Sequence, residues 1–215
     1  KAKGEKSMSK VLFVKANNRP ADQAVSVQLY DAFLESYKAS HPQDEVQVLD
    51  LFEENPPYYD AFVIGANYKA GQGFDVSPEE QGAVDRVKRY MDQFLAAEKV
   101  VIAFPLWNFT VPAVLHTYFD YLSQAGQTFK YTAEGPVGLA GGKKVMLLHA
   151  SGGVYSEGPG ADVELAVRYV KSMLGFWGIT DVEKFLIEGH NAFPDRAAQI
   201  VAEGLEQAKE VAKQF

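Results

Sequence analysis

The sequence predicts an α/β fold: a doubly wound, five-stranded parallel sheet with helices on both faces. Three observations predict it. Short β-branched and apolar runs alternate along the chain with longer segments of helical periodicity, the pattern that a parallel sheet with helical crossovers requires. The chain has 215 residues, 47% of them hydrophobic and 23% charged, enough for one core without disulfides or a structural metal. No internal repeat, low-complexity tract or interdomain linker interrupts it, so residues 8–215 read as a single domain.

The strand runs are 11–16, 45–49, 100–104, 144–150 and 182–187, and 62–64 is a sixth candidate outside the five-stranded count. A helix over about 24–39 carries Val25, Leu29, Phe33, Leu34 and Tyr37 on one stripe. The next opens at Ser77-Pro78-Glu79-Glu80, where Ser77 can cap, Pro78 suits the first helical position and Glu80 completes a capping box. Val84, Val87, Tyr90, Met91, Phe94 and Leu95 form its apolar stripe. Further helices are expected over 111–124, 162–176 and 194–214. Two segments exceed a simple connection: 51–76, rich in Pro, Tyr and Gly, and 127–142, with Phe129, Tyr131 and glycine turns. Met8 followed by Ser9-Lys10-Val11 reads as an initiator, so residues 1–7 are expected to be a vector remnant.

Composition narrows the chemistry. The absence of cysteine excludes disulfides, thiolate metal sites and thiol catalysis. A net charge of −7 without a dense Lys/Arg cluster argues against nucleic acid or an anionic membrane as partner. No apolar run reaches the roughly 20 residues of a membrane span, and the charged start lacks a secretory core, so a cytoplasmic location is expected.

Several standard signatures fail. Asn17-Asn18-Arg19-Pro20 stands where a dinucleotide glycine fingerprint would follow the first strand. Residues 138–144 imitate a phosphate loop, but the spacing is short and a strand follows. His41, His116, His149 and His190 show no metal-ligand spacing, so no metal is expected. Ser151 follows a strand without the first glycine of a nucleophile elbow, which disfavours a serine hydrolase.

What remains is three strand-to-helix loops that a parallel sheet brings to one edge. The first, 17–26, offers Asn17, Asn18 and Ser26 as donors and leads into a helix whose free N–H groups suit a phosphate. In the second, Pro105, Leu106, Trp107, Asn108 and Phe109 make an apolar platform with backbone donors, suited to a flat heteroaromatic ring. The third, Ser151-Gly152-Gly153, lets the main chain approach a ligand closely, so Gly153→Val should be more damaging than Ser151→Ala. Each loop alone has a plain structural reading as a turn, a core cap or a cap box. Together they offer the contacts that one flavin mononucleotide (FMN) requires.

Those loops, with Lys10-Val11-Leu12, Tyr118-Phe119-Asp120, Thr128-Phe129-Lys130-Tyr131 and residues 174–179, carry a resemblance over residues 8–215. The sequence resembles the FMN-dependent NADH:azo/quinone oxidoreductases, the azoreductases of the flavodoxin-like superfamily. The resemblance implies tight noncovalent FMN, NADH or NADPH as donor, and quinones and azo compounds as acceptors in two-electron ping-pong exchange. It implies no catalytic side chain, since the flavin carries the chemistry. It further implies a homodimer whose pockets mix residues of both subunits, with Phe129, Tyr131 and Phe176 around the substrate. Read from the residues alone, the surplus apolar face of the 111–124 helix fits a partner and burial under the 127–142 excursion equally. The paired serines common in the family's phosphate loop are replaced here by Ala24-Val25-Ser26, so only Ser26 carries over. The rival readings are a flavodoxin-like electron carrier without nicotinamide turnover and a cofactor-free interaction module; the two long excursions, able to enclose a substrate pocket, favour an enzyme.

Overall fold

A computed structural model of the protein describes residues 7–215, so the expectation for residues 1–7 falls almost wholly outside the described residues. In chain order the elements are β1 (Lys10–Lys15), α1 (Val25–Ser40), β2 (Glu45–Asp50), the one-turn α2 (Leu51–Glu54), α3 (Ala61–Gly71), α4 (Pro78–Ala96), β3 (Lys99–Pro105) and α5 (Ala113–Leu122). There follow β4 (Phe129–Thr132), β5 (Gly135–Gly138), β6 (Lys144–Ser151), α6 (Ala166–Phe176), β7 (Asp181–Glu188) and α7 (Ala197–Gln214). Five strands form a parallel sheet in the order β2-β1-β3-β6-β7, and β4 and β5 pair as an antiparallel hairpin outside it. The expected five-stranded doubly wound architecture is the observed one.

Period-two alternation explains how one sheet feeds two cores. Leu12, Val14, Val100, Ile102 and Leu147 face α4, α5 and α6, while Val11, Phe13, Val101, Met146 and Leu148 face α1 and α7. The α4 capping box forms as its sequence dictates: Glu80 N–H donates to Ser77 Oγ at 3.2 Å, and Ser77 N–H donates to Glu80 at 2.8 Å.

The 51–76 excursion is helical, and this corrects the strand candidate at 62–64. The Asp60 side chain accepts from the N–H groups of Phe62 and Val63, both at 3.1 Å, and starts α3, which buries Val63 and Ala66. Three apolar residues in a row matched a strand, yet the N-cap and the packing face decide for helix. Asp50 caps α2 in the same way. The 162–176 helix starts later, at Ala166, after a 3₁₀ segment at Gly158–Val163, and the last helix likewise follows a 3₁₀ turn at Pro194–Arg196.

The wide apolar face of α5 does not need a partner, which overturns that argument for a dimer. Tyr121 donates to the Pro57 carbonyl at 2.8 Å and packs against Tyr59 and Tyr90, and Phe119 packs against Trp177 and Tyr169. The 51–60 segment, α4 and α6 therefore consume the surplus face within one chain.

The hairpin of 127–142 docks by close backbone approach. A Cβ at Gly138 would lie 2.1 Å from the Gly178 nitrogen, so only glycine fits there. Lys143, in the segment that imitates a phosphate loop, instead closes the end of α4, donating to the Leu95 and Ala97 carbonyls at 2.8 and 2.7 Å.

Candidate functional site

A parallel sheet exposes the loops that follow its strands at one edge, and here four of them surround a cavity of about 360 Å³. From the β1 loop come Asn17, Arg19 and Ser26. The β3 loop contributes Pro105, Leu106 and Trp107, and the β6 loop contributes Ser151 and Gly152. His190 and Asn191, from the loop after β7, complete the wall. The sequence reasoning missed this fourth loop, although the rule that found the other three, a loop following a parallel strand, applies equally to Gly189-His190-Asn191.

The β1 loop is knitted by its own side chains. Asn17, buried, donates from Nδ2 to Ser26 Oγ at 2.9 Å and accepts from the Arg19 N–H at 3.0 Å. α1 begins at Val25 with Ala24 as a cap that has no side-chain acceptor, and among the described residues the Val25 and Ser26 N–H groups find no partner. Two free donors, a helix start, the Ser26 hydroxyl and one guanidinium make an anion seat. Asn18 is exposed and lies off the cavity lining.

The platform after β3 is a strained two-residue turn. Trp107 and Thr110 exchange backbone hydrogen bonds of 3.0 and 3.1 Å across Asn108 (φ 50°) and Phe109 (φ 69°). Both central residues are left-handed, the type I′ geometry that favours Asn and Gly and costs a benzyl side chain roughly 1–2 kcal/mol. The Asn108 and Phe109 N–H groups have no partner among the described residues, so the turn presents two donors. Trp107 is half-buried, leans on Phe52 at 6.2 Å, and lines a second, apolar trough of about 640 Å³ that adjoins the cavity. Asn108 lines that trough, and Phe109 packs its ring against Tyr155 at 6.4 Å.

The β6 loop is held from behind by Glu188, which accepts from the N–H groups of Tyr155 and Ser156 at 2.9 and 3.1 Å. Its glycines answer to the protein itself. A Cβ on Gly152 would lie 2.3 Å from Asn191 Nδ2, and one on Gly153 would lie 2.8 Å from the Tyr155 ring. The Ser151 hydroxyl donates to the Gly153 carbonyl at 3.0 Å, so it ties the loop to itself. Close approach is thus real, but the approaching partners are Asn191 and Tyr155.

One imidazole, the half-buried His190, lines the cavity, and a second, the buried His149, lies behind it. His149 Nδ1 donates to the Phe104 carbonyl at 2.9 Å, at the foot of the platform, and burial pushes the pKa of both His149 and His190 down. Phe129, Tyr131 and Phe176 do gather, with Phe129 4.6 Å from Phe176 and 5.4 Å from Tyr131. They gather at the wrong end for this cavity: α5 and α6 run back from the carboxyl edge of the sheet, and the trio sits at their far ends. Among the described residues no cluster of His, Asp and Glu is placed to hold a metal.

A parallel sheet with this strand order and a cavity at its carboxyl edge defines a flavodoxin-like α/β protein. The family model described as flavodoxin-like fold matches residues 9–212. The chain is 62% identical over 208 residues to FMN-dependent NADH:quinone oxidoreductase 3 of Bacillus thuringiensis subsp. konkukian, covering 97% of this chain and 100% of the relative. An azoreductase from Bacillus anthracis str. Sterne superposes with a TM-score of 0.91 at 62% identity, over 97% of this chain and 100% of that one. An FMN-dependent NADH-azoreductase from Bacillus anthracis str. Ames Ancestor, solved with FMN, superposes with a TM-score of 0.87 at 30% identity, over 96% and 99% of the two chains. The chain belongs to this flavodoxin-like family, within which its relatives are FMN-dependent NADH:quinone oxidoreductases and azoreductases.

The residues present fit FMN. The unpartnered Val25 and Ser26 N–H groups match a phosphate, the half-buried indole of Trp107 matches a flat ring, and the free donors of the Asn108-Phe109 turn match its polar edge.

Proposed function

We propose that residues 8–215 act as one FMN-binding domain that uses NADH or NADPH to reduce quinones and azo compounds by ping-pong two-electron exchange. The observation that carries this reading is the convergence on one cavity of a helix start with free N–H groups, an aromatic platform and the β6 loop. The high identity to FMN-dependent NADH:quinone oxidoreductases supports the same activity.

The chemistry that FMN supplies when bound is two-electron hydride transfer. The chain's part is to hold, orient and shield. Val25, Ser26 and Arg19 bind the phosphate, with Asn17 keeping their loop in shape. Trp107 and Leu106 line the ring, the Asn108 and Phe109 N–H groups bond its polar edge, and Ser151, Gly152 and His190 close the opposite side. The apolar trough beyond Trp107 admits donor and acceptor in turn. No side-chain nucleophile is required.

The protein also works as a homodimer in this reading. Tyr58, Tyr68 and Phe74 are 77%, 64% and 59% exposed on one segment, a load of aromatic surface that water disfavours. Tyr131 lies at the far end from its own cavity and is exposed, so in this reading it reaches the cavity of a second copy, with Phe129 and Phe176 packed behind it.

Purified protein should be yellow, and denaturation should release FMN. NADH oxidation should depend on added quinone, with parallel double-reciprocal lines. Release of FAD, or reconstituted protein without flavin, overturns the cofactor assignment. Bound FMN without nicotinamide turnover would instead favour an electron carrier.

A further inference from the structure

The trough beyond Trp107 has an uneven charge lining. Its walls are apolar: Phe52, Tyr58, Trp107, Val111, Pro112 and Val114. Among the described lining residues none is Lys or Arg, and the one carboxylate is Asp120, with His116 Nδ1 3.4 Å away. His116 is an imidazole that carries charge only when protonated, and its ring stacks on Tyr169 at 5.0 Å. Asp120 lines the trough, and its side chain is 46% exposed.

The opposite end of the trough has the opposite polarity. Pro112 starts α5 without a side-chain cap, and the Ala113 and Val114 N–H groups have no partner among the described residues. Those donors lie beside Trp107 and suit a carbonyl oxygen. Asp120 follows Ala113 by seven residues, about 10 Å along the helix, roughly the length of a two-ring aromatic. A flat acceptor with its carbonyl at the α5 start therefore points its far end at a carboxylate.

We infer that, among the acceptors this trough admits, Asp120 is the residue that discriminates against those carrying a fixed negative charge. The inference rests on the proposed activity and goes beyond it by assigning the charge limit to one side chain. A sulfonate brought near Asp120 meets like-charge repulsion, whereas a neutral ring of the same shape meets only the apolar walls.

The test compares 1,4-naphthoquinone with 1,4-naphthoquinone-2-sulfonate in the flavin-loaded enzyme and its Asp120→Asn and Asp120→Lys variants. The readout is the ratio of kcat/KM for the neutral over the sulfonated quinone. The ratio should fall about fivefold in Asp120→Asn and further in Asp120→Lys, and the difference should shrink as salt rises. A parallel comparison uses 2-naphthol and naphthalene-2-sulfonate, which are not reduced, with binding read from the flavin absorbance. It should show the same ordering of dissociation constants. Equal ratios in all three proteins, in turnover and in binding, would overturn the inference. If naphthoquinone is not reduced at all the proposed activity fails, and the naphthol and sulfonate constants still decide whether Asp120 selects by charge.

Discussion

Gly153 and Ser151 show how one loop residue is set by packing and its neighbour by a single hydrogen bond. A valine at 153 would drive its Cβ into the Tyr155 ring 2.8 Å away, displacing the residue whose N–H is held by Glu188. Ser151→Ala removes only the 3.0 Å bond to the Gly153 carbonyl, worth about 1 kcal/mol. Gly153→Val should thus lose FMN affinity and turnover more severely than Ser151→Ala, measured by flavin release and NADH oxidation in folded samples; equal losses would contradict it. His149 gives a pH prediction. Burial holds its folded pKa below the unfolded value of about 6.5, so between the two the unfolded chain binds more protons. Stability therefore rises with pH through that window and drops as pH falls below about 6.5. The denaturant midpoint should fall more from pH 7.5 to 5.5 in the wild type than in His149→Gln, and equal falls would rule out this role.

The strained turn after β3 is a piece of local structure that stability alone would not select. Phe109 at φ 69° costs backbone energy that glycine would not incur, and its ring is exposed, so little packing compensates. Phe109→Gly should leave stability unchanged or raise it by about 1 kcal/mol while reducing turnover, read by urea unfolding and quinone-dependent NADH oxidation. A variant that is both less stable and fully active would show that the turn serves packing. The end of α4 offers a contrasting case with no functional part. Lys143→Met leaves two buried-end carbonyls without their donor, at a cost of about 1–3 kcal/mol, with flavin content unaltered.

Across the whole molecule, the proposed dimer gives the exposed Tyr131 a test. It is 74% exposed at the end of the sheet remote from its own cavity. In a dimer with shared pockets, Tyr131→Ser should lower turnover of the acceptor while leaving the unfolding midpoint of the protein nearly unchanged. Sedimentation equilibrium at micromolar concentration should give twice 23.7 kDa. A monomer of full activity would show that one chain builds the complete site, and would remove Phe129, Tyr131 and Phe176 from it.

The sequence by itself determined what local pattern can encode. Five apolar runs separated by helical stripes specify a doubly wound sheet, Ser77-Pro78-Glu79-Glu80 starts α4, and loops following strands have to meet at one edge. That logic alone brings Ser26, Trp107 and Ser151 together, and they line one cavity. Tertiary structure alone decided the rest, because contact between distant segments leaves no periodic trace. Residues 62–64 are helical because Asp60 caps them and Val63 and Ala66 find a core to pack on. The glycines of the β6 loop are required by Asn191 and Tyr155, and the apolar surplus of α5 is absorbed by α4, α6 and the 51–60 segment. Which face of α5 lines a trough, and that Asp120 is part of that face, follows from how those helices pack against the sheet.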